Sequence, residues 1–339
     1  MKVLVTGGGG FLGQAICRQL LTRGHEVRSV NRQPYDALKT LGVEQHTGDL
    51  RNLDFVANAV DGCAAVVHTA AKAGAWGSLT EYYEINVRGT DHVLAACELH
   101  GVDRLVYTSS PSVVHNGHDL NGVNESVPYA TRFLAPYPQT KALAEQRVLA
   151  ANSSTLATVA LRPHLIWGPG DPHLMPRLLD RVRRGRLRFI GPVGKKIDTV
   201  FVDNAAEAHV LALEKLQPGA PIGGKAYFIT QGEPVALDAM VNSLLKAAGL
   251  PPEHKRISVE FARFVAGVLE SLYGLLRIKS EPVLTRFIVE QFSTAHWFNI
   301  SAARRDLGYA PRVSTSEGLA RVGEQLARAR MQQRGSTRR

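Results

Sequence analysis

Cysteine is scarce in this sequence. The chain has three cysteines among 339 residues, Cys17, Cys63 and Cys97. Three cysteines cannot pair completely, and the segments around them have the pattern of core helix or strand, so no disulfide framework is predicted. The chain begins directly with the apolar run "KVLVTG", which leaves no room for the charged and hydrophobic regions of a signal peptide. We therefore expect a cytoplasmic protein.

Metal-ligand spacing and membrane-spanning runs are also missing. None of the 12 histidines lies in a pattern such as HExxH, so we predict no metal site. His68 and His209 lie in apolar runs, where a hydrogen-bonded core histidine is the expected role. The apolar stretch 259–279 is too short and too charged to cross a bilayer.

No nucleic-acid-binding module accompanies the basic composition. The formal net charge is +10 and the pI is about 9.7, with arginine concentrated in segments 176–188 and 327–339. Neither zinc-finger spacing nor an aromatic-basic RNA signature is present. We favour a solvated basic helix face and a basic tail over a site for an anionic partner, and expect no nucleic acid.

The sequence does contain a regular alternation of short apolar runs and longer helical patterns. This alternation predicts an α/β fold, a doubly wound parallel-sheet Rossmann domain covered by helices on both faces. The predicted strands are 2–6, 25–30, 43–48, 64–70, 103–110 and 156–163. The predicted helices lie near 11–23, 52–59, 80–100 and 138–151.

The pattern loosens in the second half of the chain, where glycine and proline separate single helices and short strands. We predict a dinucleotide-binding domain over 1–170, with some later segments returning to it. Residues 171–330 are expected to form mainly a smaller mixed substrate lobe over the carboxyl edge of the sheet. Residues 331–339 are predicted to be a basic tail.

A glycine-rich segment, "VTGGGGFLG", joins the first strand to the first helix. Side chains there would block the tight turn, the approach of a pyrophosphate to backbone N–H groups and the contact between helix and strand. The segment therefore predicts a dinucleotide site. Its expected contacts are Gly7, Gly10, Phe11, Leu12 and Gly13.

The second predicted strand ends in "SVNRQ", without a carboxylate. An acidic residue at this point would accept hydrogen bonds from a free ribose 2′-OH and would repel a 2′-phosphate. Asn31 and Arg32 take its place, so NADP(H) is predicted over NAD(H). Further dinucleotide contacts are expected from Asp49, which is placed to meet the adenine, and from Leu50, Ala70, Ala71 and Lys72.

Tyr137 and Lys141 in "PYPQTK" are four residues apart and share one helix face. A phenol has a pKa of about 10, so a nearby ammonium, together with the positive charge of an oxidised nicotinamide, is expected to lower the pKa of Tyr137 toward the working range. Such a pair can move a proton on or off a substrate oxygen while hydride passes to or from a nicotinamide. Ser110 or Ser109, at the end of the "VYTSS" strand, can donate a hydrogen bond to the same oxygen.

These motifs resemble an extended short-chain dehydrogenase/reductase of the 3β-hydroxysteroid dehydrogenase-like branch. The likeness extends over nearly the whole chain, through "TGGGGFLG", "GDL", "NVRGT", "YTSSPSVV", "YPQTK" and "LRPHLIWGPGD". It implies that Tyr137 is the acid/base, Lys141 its partner and ribose ligand, and Ser110 the orienting hydroxyl. Asn86 is implied as a supporting residue. The resemblance also places the backbone after Pro163 at the nicotinamide carboxamide, with His164 near the cofactor.

The substrate is indicated by the distal segments. Residues 259–279 have a helical apolar series, which we interpret first as a helix packed on the lobe. A second interpretation is that this helix and 281–298 form an apolar lid over a lipid-like substrate and touch a membrane surface. Here the chain resembles sterol-4α-carboxylate 3-dehydrogenases and, more closely, bacterial 2-alkyl-3-oxoalkanoate reductases of long-chain olefin biosynthesis.

The closer resemblance implies that NADPH reduces the C3 ketone of a 2-alkyl-3-oxo acid, while Tyr137 protonates the oxygen. The expected substrate is a hydrophobic small molecule with a carboxylate, for which Arg177, Lys195 and Lys196 are candidate partners. The resembled family also implies a homodimer built on helices near 80–100 and 138–151. Contact with a membrane or with another enzyme of the pathway remains an open alternative.

Three other functions share part of this pattern. The first is a 3β-hydroxysteroid or sterol-4-carboxylate 3-dehydrogenase, which has the same chemistry. The second is a nucleotide-sugar epimerase or dehydratase, against which the missing acid at positions 31 and 32 and the apolar distal helix argue. The third is a non-catalytic NADP-binding protein, which would not need a proton-transfer pair.

Overall fold

The computed structural model describes residues 1–336, and its centre is a seven-stranded parallel sheet. The strands of this sheet are β1 (Lys2–Thr6), β2 (Glu26–Asn31), β3 (Glu44–Thr47), β4 (Ala65–His68), β5 (Arg104–Thr108), β7 (Ala157–Pro163) and β12 (Lys225–Ile229). Their order across the sheet is β12-β7-β5-β4-β1-β2-β3. The remaining short strands are β6 (Leu120–Val123), β8 (Ile166–Trp167), β9 (Phe189–Ile190), β10 (Lys196–Ile197), β11 (Val200–Phe201), β13 (Val235–Ala236), β14 (Arg256–Ile257) and β15 (His296–Phe298).

Helices cover both faces of the sheet. They are α1 (Phe11–Thr22), α2 (Asp36–Thr40), α3 (Leu53–Val60), α4 (Leu79–Tyr83), α5 (Gly89–Leu99), α6 (Pro136–Ala150), α7 (Leu174–Arg183), α8 (Val202–Lys215), α9 (Leu237–Ala247), α10 (Val259–Leu275), α11 (Arg286–Ser293) and α12 (Thr315–Ser336). In β1, Val3 and Val5 pack into the core shared with α1 and α8, whereas Leu4 packs into the core shared with α3 and α5. This alternation, with all three side chains fully buried, is the two-sided burial expected of a central parallel strand.

The strand order reverses at β1, which has β2 on one side and β4 on the other. In open α/β sheets, ligands bind in the crevice at the carboxyl ends of the strands where the order reverses. The glycine segment leaves β1 at this point and residues 69–74 leave β4. The predicted doubly wound Rossmann fold is therefore confirmed, and its crevice lies where the motifs are.

Two features of the fold, one in a helix and one in the sheet, were not predicted in detail. The segment expected as one helix over 80–100 is divided into α4, a π-helix at Glu84–Arg88 and α5. Strand β12, from the second half of the chain, pairs in parallel with β7 and extends the sheet, and α8 packs beside α1. Segments after residue 170 thus return to the Rossmann sheet.

A smaller mixed sheet lies outside the main one, in the order β13-β10-β15-β6. Strands β10 and β13 are antiparallel, whereas β15 is parallel to both β10 and β6. The predicted tail begins within α12, which continues to Ser336, and residues 337–339 lie outside the described part of the chain. In the described residues, no helix is long and apolar enough to cross a membrane.

The cysteines and two core histidines have the environments that their sequence positions suggest. Cys17, Cys63 and Cys97 are buried and unpaired. His68 lies between the hydroxyls of Thr6 and Thr90, and burial lowers its pKa to about 3. The ring of His209 bonds to Thr108 and to the Ala205 carbonyl.

A buried ion pair fixes helix α6 to the sheet. The Arg162 guanidinium, on β7, donates to the Glu145 carboxylate, on α6, with a shortest N–O distance of 2.5 Å and side-chain exposures of 4% and 0%. Tyr129 donates a further hydrogen bond of 2.7 Å to the same carboxylate. Because both charges are withdrawn from water, removal of one partner leaves the other uncompensated.

Replacement of Glu145 by alanine is expected to lower the free energy of unfolding by about 3–5 kcal/mol, because the Arg162 charge would stay buried without its partner. Urea unfolding followed by circular dichroism measures the change. Asp180→Ala is the matched control, since it removes an exposed ion pair with Arg184 and should cost less than about 1 kcal/mol. Equal losses in the two variants would show that the buried pair does not anchor α6.

Candidate active site

The glycine segment after β1 forms a backbone cradle at the start of α1. Gly7 has a left-handed φ of 70°, and a Cβ at Gly13 would lie 2.2 Å from the Gly7 carbonyl oxygen. Gly10 precedes the first helical residue, and no side chain caps the helix there. The N–H groups of the first turn, which begins at Phe11 and Leu12, therefore have no side-chain acceptor, which fits a helix start that binds a pyrophosphate.

Asn31 holds this cradle in place. Its side-chain oxygen accepts a 2.7 Å hydrogen bond from the Gly9 N–H, and its amide donates to the Ser29 hydroxyl. The residue is only 7% exposed. Asn31 thus shapes the glycine turn, a role that its position at the strand end does not reveal.

Two arginines flank Asp49 at the end of the crevice beyond β2. Hydrogen bonding from Arg51 lowers the pKa of the Asp49 carboxyl, and the charge of the exposed Arg32 makes a smaller contribution in the same direction. The Arg51 guanidinium lies 2.6 Å from Asp49. Arg51 was not among the predicted site residues. The only sequence signal for it is a basic residue directly after the "GDL" motif.

The segment leaving β4 forms the second wall of the crevice. A Cβ at Gly7 would lie 3.0 Å from the Ala70 Cα, so the two segments touch. Ala71 is exposed beside it, and the Lys72 N–H donates a 2.7 Å hydrogen bond to the Asn86 side chain. The chain thus has small side chains at positions 70 and 71, where it passes Gly7.

Asn86 joins this segment to helix α6. Its amide donates 3.0 Å hydrogen bonds to the Lys72 carbonyl and to the Thr140 hydroxyl. It is 2% exposed and lies in the π-helix, a distortion often found at functional sites. Asn86 therefore positions the β4 segment relative to the helix that carries Tyr137. Leu50 is also buried, and its carbonyl bonds to the His92 ring.

Lys141 is buried beneath the crevice. Its ammonium donates a 2.5 Å hydrogen bond to the Thr108 carbonyl and lies 4.1 Å from the centre of the Tyr107 ring. Burial lowers the pKa of Lys141 to about 7, although the charge of Glu145 opposes the change. The amine can therefore gain or lose a proton near neutral pH.

The Ser110 hydroxyl lies close enough to the Tyr137 phenol to influence its pKa. The Ser110 oxygen accepts hydrogen bonds of 3.2 and 2.9 Å from the Ser112 N–H and hydroxyl, so its own proton is free to be donated. Burial raises the pKa of Tyr137 above its ordinary value, and the hydrogen bond with Ser110 partly offsets this. Ser109 is instead buried at 3% exposure, with no hydrogen-bond partner for its hydroxyl among the described residues.

The sequence-based expectation about the phenol is corrected by this geometry. Lys141 and the charge of an oxidised nicotinamide were expected to lower the pKa of Tyr137. Within the protein itself burial raises this pKa, and the partner that offsets the rise is Ser110 rather than Lys141. The physical reason is that the Lys141 amine is directed to the Thr108 carbonyl and is itself weakly basic.

A group of buried histidines was not predicted. His164, which follows Pro163 at the end of β7, donates from Nδ1 to the Asp198 carbonyl over 2.5 Å. The His296 ring lies 4.8 Å from the His164 ring and 5.8 Å from the His115 ring. Burial keeps the pKa of His164 well below its ordinary value, so the ring is neutral. These positions are far apart in sequence, and no local pattern links them.

The candidate partners for a substrate carboxylate differ in availability. Arg177 forms an ion pair with Glu281 at 3.3 Å, and Lys195 forms one with Asp119 at 2.6 Å. Lys196 is exposed on β10. The structure therefore does not bring these three cations together at Tyr137.

Replacement of Lys141 by methionine provides a test of its lowered pKa. Between pH 7 and about 10.5 the unfolded chain keeps the Lys141 proton while the folded chain releases it, so stability should rise with pH. The free energy of unfolding of the wild type, minus that of Lys141→Met, should therefore increase by up to about 1.4 kcal/mol per pH unit in this window. Urea unfolding of the two proteins at several pH values measures the difference. A flat difference would mean that the buried amine stays protonated.

Most of this chain matches a known protein family. Residues 4–260 match the 3-beta hydroxysteroid dehydrogenase/isomerase family. The 2-alkyl-3-oxoalkanoate reductase of Stenotrophomonas maltophilia is 56% identical over 324 residues, which cover 95% of this chain and 98% of that protein. The 2-alkyl-3-oxoalkanoate reductase of Shewanella oneidensis is 48% identical over 330 residues, with coverages of 95% and 85%.

Solved structures agree with the fold. MoeE5 in complex with UDP-glucose and NAD is similar with a TM-score of 0.73 and 27% identity, covering 97% of this chain and 99% of that one. The glycine cradle and the uncapped helix α1 fit the same class of cofactor, a nicotinamide dinucleotide. The chain belongs to the 3-beta hydroxysteroid dehydrogenase/isomerase family, within the extended short-chain dehydrogenases/reductases, and is a nicotinamide-dinucleotide-dependent oxidoreductase acting on CH–OH or keto groups.

Proposed function

We propose that this enzyme uses NADPH to reduce the C3 ketone of a long-chain 2-alkyl-3-oxoalkanoic acid to the 2-alkyl-3-hydroxy acid, a step of olefin biosynthesis. The two relatives named 2-alkyl-3-oxoalkanoate reductase support this substrate class, since each is aligned with 95% of the chain. The substrate is a hydrophobic small molecule that bears a carboxylate. The three unpaired thiols suit a cytoplasmic location.

The observation that carries the proposal is the pair of hydroxyls on Ser110 and Tyr137. The raised pKa of Tyr137 keeps its phenol protonated at neutral pH. Reduction of a ketone needs a proton donor at the carbonyl oxygen, whereas oxidation of an alcohol needs a base there. The protonated phenol of Tyr137 can supply this proton in the reducing direction.

Each of these residues in the crevice has a separate role in the proposed reaction. When bound, the reduced nicotinamide supplies hydride to C3. Tyr137 gives its proton to the carbonyl oxygen, and Ser110 donates a hydrogen bond that stabilises the charge developing on that oxygen. Lys141 lies beneath the crevice with its amine on the Thr108 carbonyl, and we assign it to the cofactor ribose, as the family resemblance implies. Asn86 keeps the β4 segment and α6 in register.

The preference for NADPH rests on charge at the end of β2. Arg32 and Arg51 both lie beside Asp49, and Asn31 provides no carboxylate to repel a 2′-phosphate. A planar guanidinium suits bidentate contact with phosphate oxygens. The two arginines are therefore assigned to the 2′-phosphate, with Asp49 holding Arg51 in position.

We also propose that the protein is a homodimer. It rests on the resemblance to family members that pair through the helices corresponding to α5 and α6. Leu99 on α5 and Leu143 on α6 are exposed, which is compatible with a partner copy.

Replacement of Tyr137 by phenylalanine should reduce kcat/KM for NADPH-dependent ketone reduction by about 10²–10⁴-fold, because the proton donor is lost. The affinity for NADPH should change little, since the hydroxyl acts on the substrate oxygen. Tyr227→Phe is the matched control. Tyr227 lies on β12, at the edge of the sheet, and its hydroxyl donates a hydrogen bond to Asp306. Loss of cofactor absorbance measures the rate.

The same assay separates the alternative functions. A long-chain 2-alkyl-3-oxo acid with NADPH is compared with a 4-carboxysterol with NADP⁺ and with UDP-glucose. Faster turnover of the sterol would replace the proposed substrate by the sterol alternative. Conversion of UDP-glucose with retained NAD would establish the epimerase alternative. A non-catalytic protein would turn over none of these compounds, and Tyr137→Phe would keep its binding of NADPH and of any partner.

Replacement of Arg32 and Arg51 by glutamine tests the cofactor preference. Each lost charge-assisted hydrogen bond is worth about 1.5–3 kcal/mol, so either variant should lower the ratio of kcat/KM for NADPH to that for NADH by about 10–100-fold. Arg328→Gln is the control, since this exposed arginine lies on α12. A ratio that does not fall in either variant would rule out the assigned phosphate site.

A further inference from the structure

Helix α10 is amphipathic, but its large apolar side chains face outward. Five of them, spaced three or four residues apart, form one line along the exposed face, here named the apolar stripe: Phe261, Phe264, Val268, Leu272 and Leu275. Phe264 is 69% exposed and Leu275 is 80% exposed. At 1.5 Å per residue, the stripe is about 20 Å long.

The packed face of α10 is made of small residues instead. Ala262 and Ala266 are fully buried against Val289 of α11 and Ile190 of β9. The interpretation of 259–279 as an ordinary packed helix therefore accounts for the alanines but not for the stripe. Exposed apolar patches of this size usually mark an interaction surface.

Cations surround the stripe. Arg263 on α10, and Arg277 and Lys279 just beyond its end, are exposed. None of the three takes part in an ion pair among the residues that the structure describes. Glu270 and Glu281 are already paired, with Arg286 and Arg177 respectively. Glu260, at the start of α10, is the one exposed carboxylate of this helix, so the three cations still leave the rim with an excess of positive charge.

The arginine-rich segment 176–188 extends this positive surface. Arg181 on α7 donates a 2.9 Å hydrogen bond to the carbonyl of Val283, and Arg177 pairs with Glu281 at 3.3 Å. The two contacts place the basic helix beside the chain that follows α10. Val283 is itself 68% exposed. Two unusual features of the sequence, the basic cluster and the amphipathic helix, are thus neighbours in the fold.

We propose that the apolar stripe of α10 and its cationic rim bind the surface of an anionic lipid bilayer. A helix with exposed phenylalanine and leucine, flanked by lysine and arginine, lies in the interface with its apolar side chains among the acyl chains. The cations gain from anionic headgroups within a Debye length of the surface. A symmetric contact between two copies would instead bring like charges together.

The lipid-binding face is connected to the cofactor crevice. The Trp76 indole donates a 3.1 Å hydrogen bond to the Ile278 carbonyl and lies 6.2 Å from the Tyr273 ring, edge to face. Trp76 follows the β4 segment that lines the crevice. Entry of a long-chain substrate from the lipid is a further step that rests on the proposed function, whereas lipid binding itself does not.

Vesicle co-sedimentation tests the binding. The full-length protein is mixed with phosphatidylcholine vesicles, either alone or with added phosphatidylglycerol. We expect binding to the anionic vesicles that weakens with salt. Phe264→Ser/Leu272→Ser should reduce the bound fraction by about tenfold. Arg277→Gln/Lys279→Gln should weaken binding to the anionic vesicles by about 10–30-fold and leave binding to neutral vesicles unchanged.

Met331→Ser is the matched control, because Met331 is an equally exposed apolar residue on α12, and it should bind like the wild type. Enhancement of NADPH fluorescence in every variant shows that the crevice is folded. Three outcomes would overturn the proposal: a wild type that does not sediment with anionic vesicles, stripe variants that bind as well as the wild type, or a wild-type oligomer that the stripe variant dissociates while vesicles capture neither. Turnover of the oxo acid is measured separately, so failure of the proposed function would leave this result intact.

Discussion

The buried ion pair between Glu145 and Arg162 is the constraint on which the arrangement of the crevice depends. It joins α6 to β7 inside the protein, where neither charge has water as an alternative partner. Tyr137 and Lys141 are carried by the same helix, so their distances from Ser110 and from the Thr108 carbonyl are set by how α6 sits on the sheet. A rigid scaffold of this kind is what proton transfer over a hydrogen-bond distance needs.

Much of the fold could be predicted because its information is local. The apolar run at 2–6 and the glycine turn that follows it specify a strand, a turn and a helix start with little help from the rest of the chain. The place of β12 could not be predicted in this way. Its neighbour β7 lies more than 60 residues earlier, and the pairing depends on tertiary packing. The division of the helix over 80–100 by a π-helix likewise reflects the tertiary contacts of Asn86.

In the candidate site, too, some features are indicated by local sequence and others depend on tertiary packing. The residue types and spacing of Gly7, Tyr137 and Lys141 indicate the chemistry, since few patterns place a phenol and an amine one turn apart beside a phosphate cradle. Their ionisation depends on surroundings that spacing does not specify. The lowered pKa of Lys141 comes from burial, and the buried histidines around His164 are assembled from three distant segments.

The contact between Trp76 and the end of α10 gives the molecule a built-in optical probe. Trp76 is half-buried between the crevice loop and Tyr273, whereas Trp167 is enclosed in the core and Trp297 bonds to Asn121 on the small sheet. Indole emission is sensitive to hydration, so any separation of the loop from α10 would shift the spectrum of one tryptophan out of three. Ligand entry could thus be followed in real time without attaching a dye.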